Sequence, residues 1–168
     1  MSDTFKLKHK ISTRHIGGVS PDVMHRSLIR QAVLMTLKSE SVDRPCAINV
    51  LITDNKGIRS YNDKYRGVDK ATDVISFPMQ NYSHPGWNGI VDIDIDLDTQ
   101  NVPLGDIIIS TEKIKKQAQA YRRTIEHETV HMLIHSTLHL LGYEHENPTQ
   151  DREMKGKEKV LQRLMGYF

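Results

Sequence analysis

The sequence contains a single cysteine, Cys46, among its 168 residues. No disulfide can form within the chain, and a reducing cytoplasm is the simplest location to expect. No apolar run approaches the roughly 20 residues that a membrane-spanning helix requires, so we expect no membrane partner. The N-terminal residues also lack the apolar stretch of a secretory signal.

Charge of one sign is not in large excess either, because the formal net charge is only +2. A value this small does not identify a nucleic-acid-binding protein. The basic residues nevertheless form one cluster near the start and another ahead of a histidine-rich segment: Lys6, Lys8, Lys10 and Arg14, then Lys113, Lys115, Lys116, Arg122 and Arg123. Such clusters can contact phosphates, but a solvated surface is the better interpretation of each cluster alone.

The composition is typical of a globular protein, with 38% hydrophobic and 26% charged residues, and the length fits one domain over residues 1–168. Local patterns predict the following elements in chain order: a weak strand over 5–11, a helix from Ser20-Pro21-Asp22 to about Ser39, a strand over 47–53, a helix over 56–65, a strand over 73–77, a long excursion over 79–103, a strand over 104–110, helical sequence over 111–141 with a break near 122–124, and a helix over about 149–165.

These elements predict an α+β fold, with a single mixed β-sheet of about four strands and helices packed on it. Residues 90–98 alternate strictly, which predicts an extra acidic strand or hairpin within the excursion. Helical spacing also predicts the inward stripes of the first and last helices: Met24, Leu28, Gln31-Ala32 and Met35, then Met154, Val160, Leu161 and Leu164.

Five of the nine histidines fall within 127–145. His135 and His139 are four residues apart, so they lie on one helix face about 6 Å apart along the axis. Gly142 lets the chain leave the helix and turn back, which brings His145 to the same ion as a third ligand. Three histidine ligands leave a fourth position for water, the arrangement of catalytic zinc, although Ni²⁺, Co²⁺ or Cu²⁺ would also fit.

Two protease-like patterns overlap this segment. The spacing of 135–145 matches HExxHxxGxxH, but Ser136 stands where the general-base glutamate is required. HETVH at 127–131 is a literal HExxH match, but no glycine turn follows it. We therefore interpret His127 and His131 as surface or supporting residues, and Glu128 as a structural acid.

A calcium loop is a third candidate pattern, at Asp92, Asp94, Asp96 and Asp98. It lacks the required glycine, because Leu97 stands there, and the closing glutamate, because Pro103 stands there. An exposed strand accounts for these aspartates better.

The string HSTLHLLGYEH at 135–145 closely resembles the HGxLHLxGYDH signature of the YbeY family of bacterial metal-dependent endoribonucleases. YRGVDKATDVISFP at 65–78 is similar to that family's YRxxDxPTDVLSFP segment, and LGDIIIS at 104–110 is similar to the strand that follows. The three segments occur in the family's order. The sequence departs from the family by Ser136 in place of glycine, Glu144 in place of aspartate, Ala71 in place of proline, and a longer connection over 81–101.

The resemblance implies that His135, His139 and His145 bind one zinc ion per chain and that Arg66 takes part in RNA cleavage. It also implies single-strand-specific cleavage, ribosomal RNA maturation at the small-subunit 3′ end, and a role in ribosome quality control. Ribosomal RNA and the small ribosomal subunit are then the expected partners, and we favour a monomer.

In the expected mechanism zinc lowers the pKa of its bound water from about 16 to about 7. This zinc-bound water is the expected reactive group, either as a nucleophile or as a base toward the ribose 2′-hydroxyl; no protein general base is assigned. Arg66 would hold the phosphate oxygens with a bidentate, charged fork. From composition alone, a salt bridge from Arg66 to Asp63 or Asp69 is the simpler interpretation.

Two other functions compete with this one. A non-catalytic ribosome-assembly factor would use the metal only to brace its fold. A zinc peptidase would use either histidine pattern and would need Glu128 as its base.

Overall fold

The computed structural model describes residues 7–20 and 24–168. In chain order its elements are β1 (Lys10–His15), α1 (Arg26–Ser39), β2 (Cys46–Thr53), α2 (Asn55–Arg66), β3 (Val74–Pro78), β4 (Asn81–Tyr82), a short 3₁₀ turn (Trp87–Gly89), β5 (Ile90–Val91), β6 (Val102–Ser110), α3 (Thr111–Ala120), α4 (Ile125–Leu140) and α5 (Pro148–Leu164). Among these residues no helix is long and apolar enough to cross a bilayer.

One mixed sheet organises the fold, with the strand order β1-β2-β6-β3. β2 runs parallel to both β1 and β6, whereas β3 is antiparallel to β6 and forms one edge. β4 and β5 form a separate two-stranded hairpin within the excursion. The expected α+β class, a single mixed four-stranded sheet with helices packed on it, is confirmed.

The sheet separates a large core from a small one. Ile48 and Val50 of β2 face the large core, which β2 forms with α1, α4 and α5. Leu51 directly follows Val50 in the strand but faces the other side, because successive strand residues point to opposite faces. Within the described residues, α2 is the helix that covers the sheet on that side, where Ile58 packs against Ile108 of β6.

Polar caps confirm the predicted break in the long helical segment. The Ser110 hydroxyl accepts a hydrogen bond from the backbone N–H of Lys113 and begins α3. The Thr124 hydroxyl accepts one from the N–H of His127 and begins α4. Each cap satisfies an N–H group that has no partner within its helix, so the chain makes two helices where apolar spacing alone allows one.

The first two predicted elements are displaced. The strand predicted over 5–11 is observed at Lys10–His15, where parallel pairing with β2 selects it; residues 5 and 6 lie outside the described part. The first helix begins only at Arg26, after an N-cap at His25 that makes no side-chain hydrogen bond. Pro21 and Asp22, predicted to open it, lie outside the described residues as well.

The inward stripe of α1 is also shifted from the predicted one. Its buried residues are Ile29, Ala32, Val33, Thr36 and Leu37. Leu28 and Met35 are only partly buried at the margin of the core, and Gln31 is exposed. Apolar residues occupy two adjacent faces of this helix, so helical spacing alone did not determine which face lies inward.

The predicted acidic strand over 90–98 is wrong beyond its first two residues. β5 ends at Val91, and Asp92 takes a positive φ of 52°. The Asp96 carboxylate then accepts hydrogen bonds from the backbone N–H groups of Asp98 and Thr99. Aspartate side chains compete with a strand for backbone N–H groups, which favours turns here. The alternative expectation, a hairpin in the excursion, is confirmed by β4 and β5.

The predicted inward face of the last helix is partly wrong. Met154 and Leu161 are buried, but Val160 is 58% exposed and Leu164 is 62% exposed. The buried stripe instead includes Glu158, which lies between Met154 and Leu161 on the same helix face. A carboxylate therefore occupies a position where an apolar residue was expected.

Adjacent residues of α5 test this orientation. We expect Leu161→Ala to lower the free energy of unfolding by about 2–5 kcal/mol, because it removes fully buried methyl groups. Val160→Ala should change it by less than about 0.5 kcal/mol, because its side chain lies in solvent. Chemical denaturation measures both values, and equal losses in the two variants would contradict the observed helix face.

Candidate metal centre

The C-terminal part of α4 carries two histidines on one face, and the chain then reverses. His135 and His139 lie one helical turn apart within α4. Gly142 follows the helix with a φ of 83°, in the left-handed region that favours glycine. The reversal returns the chain to the same face and brings the His145 ring to 5.4 Å from His135 and 5.0 Å from His139, between ring centroids.

The excursion packs on this reversal and holds it. A Cβ atom on Gly142 would lie 2.5 Å from Cγ of Tyr82, so the turn requires glycine for space as well as for backbone conformation. The Tyr82 hydroxyl donates to the Leu140 carbonyl at 2.7 Å, and the Gly86 N–H donates to the Leu141 carbonyl at 2.9 Å. Carbonyl groups at the C-terminal end of a helix have no N–H donor within it, and these two bonds supply the missing donors.

The three predicted ligands converge. One ring nitrogen from each of His135, His139 and His145 lies within 4.8 Å of the other two. The Nε2 atoms of His135 and His139 are 3.1 Å apart. Two nitrogens bound tetrahedrally to zinc at about 2.0–2.1 Å lie roughly 3.3 Å apart, so the observed spacing fits a shared ion. Within the described residues, no other group of three or more histidine, cysteine or acidic side chains comes this close together.

The outward-facing nitrogens of two of the rings are fixed by hydrogen bonds. Nδ1 of His135 donates to Oε1 of Glu158 at 2.7 Å, and Nδ1 of His139 donates to the Tyr143 carbonyl at 2.7 Å. A ring whose Nδ1 carries the proton presents the Nε2 lone pair to a metal. The donor set and its orientation therefore fit a divalent transition metal.

Burial keeps the His139 ring neutral. The loss of solvent and the neighbouring His135 ring together lower the pKa of His139 from 6.5 to about 4, against the opposing effect of its bond to the Tyr143 carbonyl. Burial alone would raise the pKa of Glu158, but hydrogen bonds from His131 and His135 outweigh it and lower that pKa to about 2. At neutral pH the cluster thus offers a neutral imidazole at His139, as metal ligation requires, and a charged Glu158 carboxylate in contact with the neighbouring ring.

Arg66, the remaining predicted site residue, faces the same cavity. This cavity has a volume of about 580 Å³, and its lining includes Arg66 and all three histidines. Nη2 of Arg66 donates to the Ser76 carbonyl at 3.3 Å, and its guanidinium carbon lies 5.8 Å from the centroid of the Phe77 ring. Composition alone suggested a salt bridge from Arg66 to Asp63 or Asp69. Asp69 is instead bound to Arg59 through two hydrogen bonds of 2.6 and 2.7 Å.

Comparison with known proteins identifies the family of this chain. The family model described as endoribonuclease YbeY matches residues 15–166. This chain belongs to the YbeY family. An endoribonuclease YbeY from Caldanaerobacter subterraneus subsp. tengcongensis is 40% identical over 139 residues, which cover 82% of this chain and 86% of the relative. One from Acetivibrio thermocellus is 36% identical over 137 residues, covering 80% of this chain and 82% of the relative.

A solved structure has a similar arrangement of helices and strands. The solution structure of a protein from Thermotoga maritima superimposes with a TM-score of 0.57, covering 90% of this chain and 86% of that one. Its sequence is 24% identical, so this likeness supports the arrangement of helices and strands alone. The family resemblance predicted from the three sequence segments is confirmed by the family match and by the curated relatives.

The departures from the YbeY signature have different consequences. Ser136 is fully buried and does not line the histidine cavity, so it does not crowd the cluster. Glu144 does line the cavity, and its Oε2 lies 3.7 Å from Nδ1 of His139. Ala71 packs at the margin of the small core with Ile58 and Ile75, where its methyl group keeps an apolar contact.

The HETVH residues form a separate charged network. Glu128 is only 1% exposed and accepts a hydrogen bond from Arg123 at 3.1 Å. His131 lies between Glu128 and Glu158, at 3.7 and 3.5 Å. Burial opposes charging of His131, but the interactions with the carboxylates of Glu128 and Glu158 outweigh it and raise the pKa of His131 to about 9. A protonated imidazole has no lone pair for a metal.

His127 lies near the N-terminal end of α4, away from the cluster. Its Nε2 lies 3.0 Å from Oε1 of Gln162, and its ring lies 5.1 Å from the Tyr167 ring. The structure therefore places both HETVH histidines in supporting contacts, as predicted from the missing glycine turn.

Glu158 is the site residue that sequence reasoning missed. The available signal was its spacing, because it lies four residues after Met154 and three before Leu161 on a stripe that is otherwise apolar. An acid in that stripe indicates a buried partner, but only the packing of α5 on α4 identifies the partner as His135.

Metal analysis of two histidine variants tests which pair forms the site. We expect purified wild-type protein and His127→Ala to hold about one zinc per chain, and His139→Ala to lose it, because only His139 belongs to the converging set. Elemental analysis after dialysis gives the content. Loss of metal from His127→Ala, or full retention by His139→Ala, would refute the assignment.

A second variant pair tests the support of His135. Glu158→Gln should weaken metal affinity about 10- to 100-fold, because the charged acceptor that orients the ring and raises its basicity is lost. Glu153→Gln, an exposed acid on the same helix, is the matched control and should bind metal as the wild type does. Competition with a chromophoric chelator measures both, and equal affinities would show that Glu158 has no role at the metal.

Proposed function

We propose that this protein is a zinc-dependent, single-strand-specific endoribonuclease that acts in ribosomal RNA maturation, notably at the small-subunit 3′ end, and in ribosome quality control. Membership of the endoribonuclease YbeY family supports an RNA-cleaving hydrolase. The observation that carries the proposal is the convergence of three imidazoles beside an exposed arginine in one cavity. The family resemblance supports ribosomal RNA as the substrate, and the single cysteine supports a cytoplasmic location.

The donor set supports zinc as the metal. His135, His139 and His145 would hold it, and imidazole nitrogens without a cysteine suit Zn²⁺ in a site that keeps one position open. When bound, zinc supplies a Lewis acid and lowers the pKa of a coordinated water toward neutrality. The protein contributes the orientation: Glu158 and the Tyr143 carbonyl fix two rings, and the Gly142 reversal presents the third.

Arg66 supplies positive charge where phosphodiester cleavage accumulates negative charge. One Nη2–H bond to the Ser76 carbonyl orients the guanidinium while other N–H groups stay available to phosphate oxygens. Arginine stays charged throughout the physiological pH range, so this contact persists through the reaction. Its role is to bind the scissile phosphate and to stabilise the charged transition state.

The peptidase alternative loses its base in this structure. Glu128 would have to activate water beside the metal, but its carboxylate is buried against Arg123 and His131. No observation favours the non-catalytic assembly factor over the nuclease, and cleavage by the purified protein distinguishes the two.

Cleavage of a single-stranded RNA by matched variants tests the proposal. His139→Ala should abolish cleavage, because it removes a ligand, and Arg66→Ala should reduce it about 100- to 1000-fold, because a preorganised charge is lost. Arg59→Ala, which removes a surface arginine from the same helix, should retain activity. Initial rates on a labelled oligonucleotide measure all four proteins, with a duplex of the same sequence as the unreactive substrate.

Parallel purification controls for contaminating nucleases, since a contaminant would cleave equally in every preparation. Wild-type rates in folded His139→Ala and Arg66→Ala would end the proposal. Absence of cleavage by metal-loaded wild-type protein would instead favour the assembly factor.

A further inference from the structure

The second face of the sheet is only partly covered. α2 packs over one part of it, and beside α2 lies an open cavity of about 540 Å³. Strand residues Ser12, Arg14, Asn49 and Asp106 form the polar part of its lining. Nothing in the proposed catalytic chemistry uses this cavity.

Three aromatic rings form one wall of this cavity, and we refer to Tyr61, Tyr65 and Phe77 as the aromatic face. The rings of Tyr61 and Tyr65 are stacked, with centroids 6.1 Å apart and planes inclined by 13°. The edge contact between Tyr65 and Phe77 has a centroid distance of 5.6 Å. Tyr65 remains 56% exposed despite these contacts, so part of its ring is open to a ligand.

Cationic groups are interleaved with these rings. Nζ of Lys64 lies 5.0 Å from the Tyr65 centroid, and the Arg66 guanidinium carbon lies 5.8 Å from the Phe77 centroid. Lys64 and Arg66 stand beside the rings, and Arg14 is the cation among the described residues that line the cavity itself. Among the described lining residues Asp106 is the single acid, and its Oδ1 accepts a hydrogen bond from Asn49 at 2.7 Å. Exposed rings alternating with cations are the chemistry of single-stranded nucleic-acid binding, in which bases stack and phosphates meet positive charge.

The edge strand β3 links this cavity to the histidines. Successive residues of a strand point to opposite faces, so Phe77 lines the aromatic cavity whereas Ser76 and Pro78 line the histidine cavity. Arg66 lines the histidine cavity while its guanidinium lies over Phe77. A nucleic-acid strand that crosses the sheet edge at β3 would therefore run from the aromatic face to the candidate metal centre and would pass Arg66 on the way.

We propose that the aromatic face is a stacking site for unpaired bases of RNA, adjoining the phosphate that Arg66 and the metal centre engage. This inference rests on the proposed function. Bases in a duplex are paired and stacked on one another, so their faces are not available to Tyr65. Stacking on a sheet surface is a recurring mode of single-strand RNA recognition. The aromatic face thus accounts for single-strand specificity by base contact, separately from the cleavage chemistry.

Binding measurements on exposed tyrosines test the stacking site. The probe is a short fluorescein-labelled 2′-O-methyl oligouridylate, followed by anisotropy with the zinc-loaded protein. Tyr65→Ala should raise Kd about 10-fold or more, and Tyr65→Trp should restore binding, because it restores an aromatic surface. Tyr121→Ala is the matched control, since Tyr121 is 64% exposed, has Arg123 5.5 Å from its ring and lines neither cavity, and it should bind as the wild type does.

Salt separates stacking from charge. The ratio of the Tyr65→Ala and wild-type Kd values should stay constant as salt rises, because stacking releases no counterions, whereas Arg14→Gln should flatten the salt dependence. Unchanged affinity in Tyr65→Ala, or an equal loss in Tyr121→Ala, would overturn the stacking site. The first result would leave the aromatic face to a protein partner.

Cleavage of an unmodified RNA distinguishes failure of this inference from failure of the proposed function. Tyr65→Ala should raise KM while kcat at saturating RNA stays near that of the wild type, since the tyrosine binds the substrate away from the reacting phosphate. Cleavage by the wild type with normal binding by Tyr65→Ala would refute stacking alone. Weakened binding by Tyr65→Ala with no cleavage by the wild type would refute the nuclease and keep the stacking site.

Discussion

The hydrogen bond between His135 and Glu158 is the contact on which the candidate metal centre depends. It joins α4 to α5 and fixes which nitrogen of the His135 ring faces the cluster. Both carboxylate oxygens of Glu158 are engaged, one by His135 and the other by His131. A buried carboxylate is costly without partners, so the two imidazoles stabilise Glu158 as much as it orients one of them.

The second ring is held in a different way. His139 donates to the carbonyl of Tyr143, a residue of the same reversal that presents His145. One ligand is therefore positioned by tertiary packing and another by local chain geometry. The hydrogen bonds that hold these two ligands are both present only when α5 is docked on α4, because Glu158 belongs to α5.

The parts of the site that are local in sequence could be predicted, and the parts that depend on packing could not. The histidine cluster lies within residues 135–145, where a helical spacing and a glycine determine the geometry. Glu158 and the contact of Arg66 with Ser76 arise only from tertiary packing. The same distinction holds for the fold. The buried strand β2 was predicted within a residue, whereas residues 90–98 alternate like a strand but turn, with Asp96 accepting backbone hydrogen bonds within the turn.

The long connection over residues 79–103 stabilises the end of α4 through direct contacts. Tyr82 fills the space that a side chain on Gly142 would need, and Gly86 satisfies a carbonyl of the ended helix. This connection thus braces the reversal from outside, with Tyr82 of its hairpin packed on the turn and its tip exposed to solvent around Leu97. An insertion near that tip would leave the contacts at the end of α4 unchanged. A substitution at Tyr82 would remove contacts with Leu140 and Gly142 and so alter the loop that carries His145.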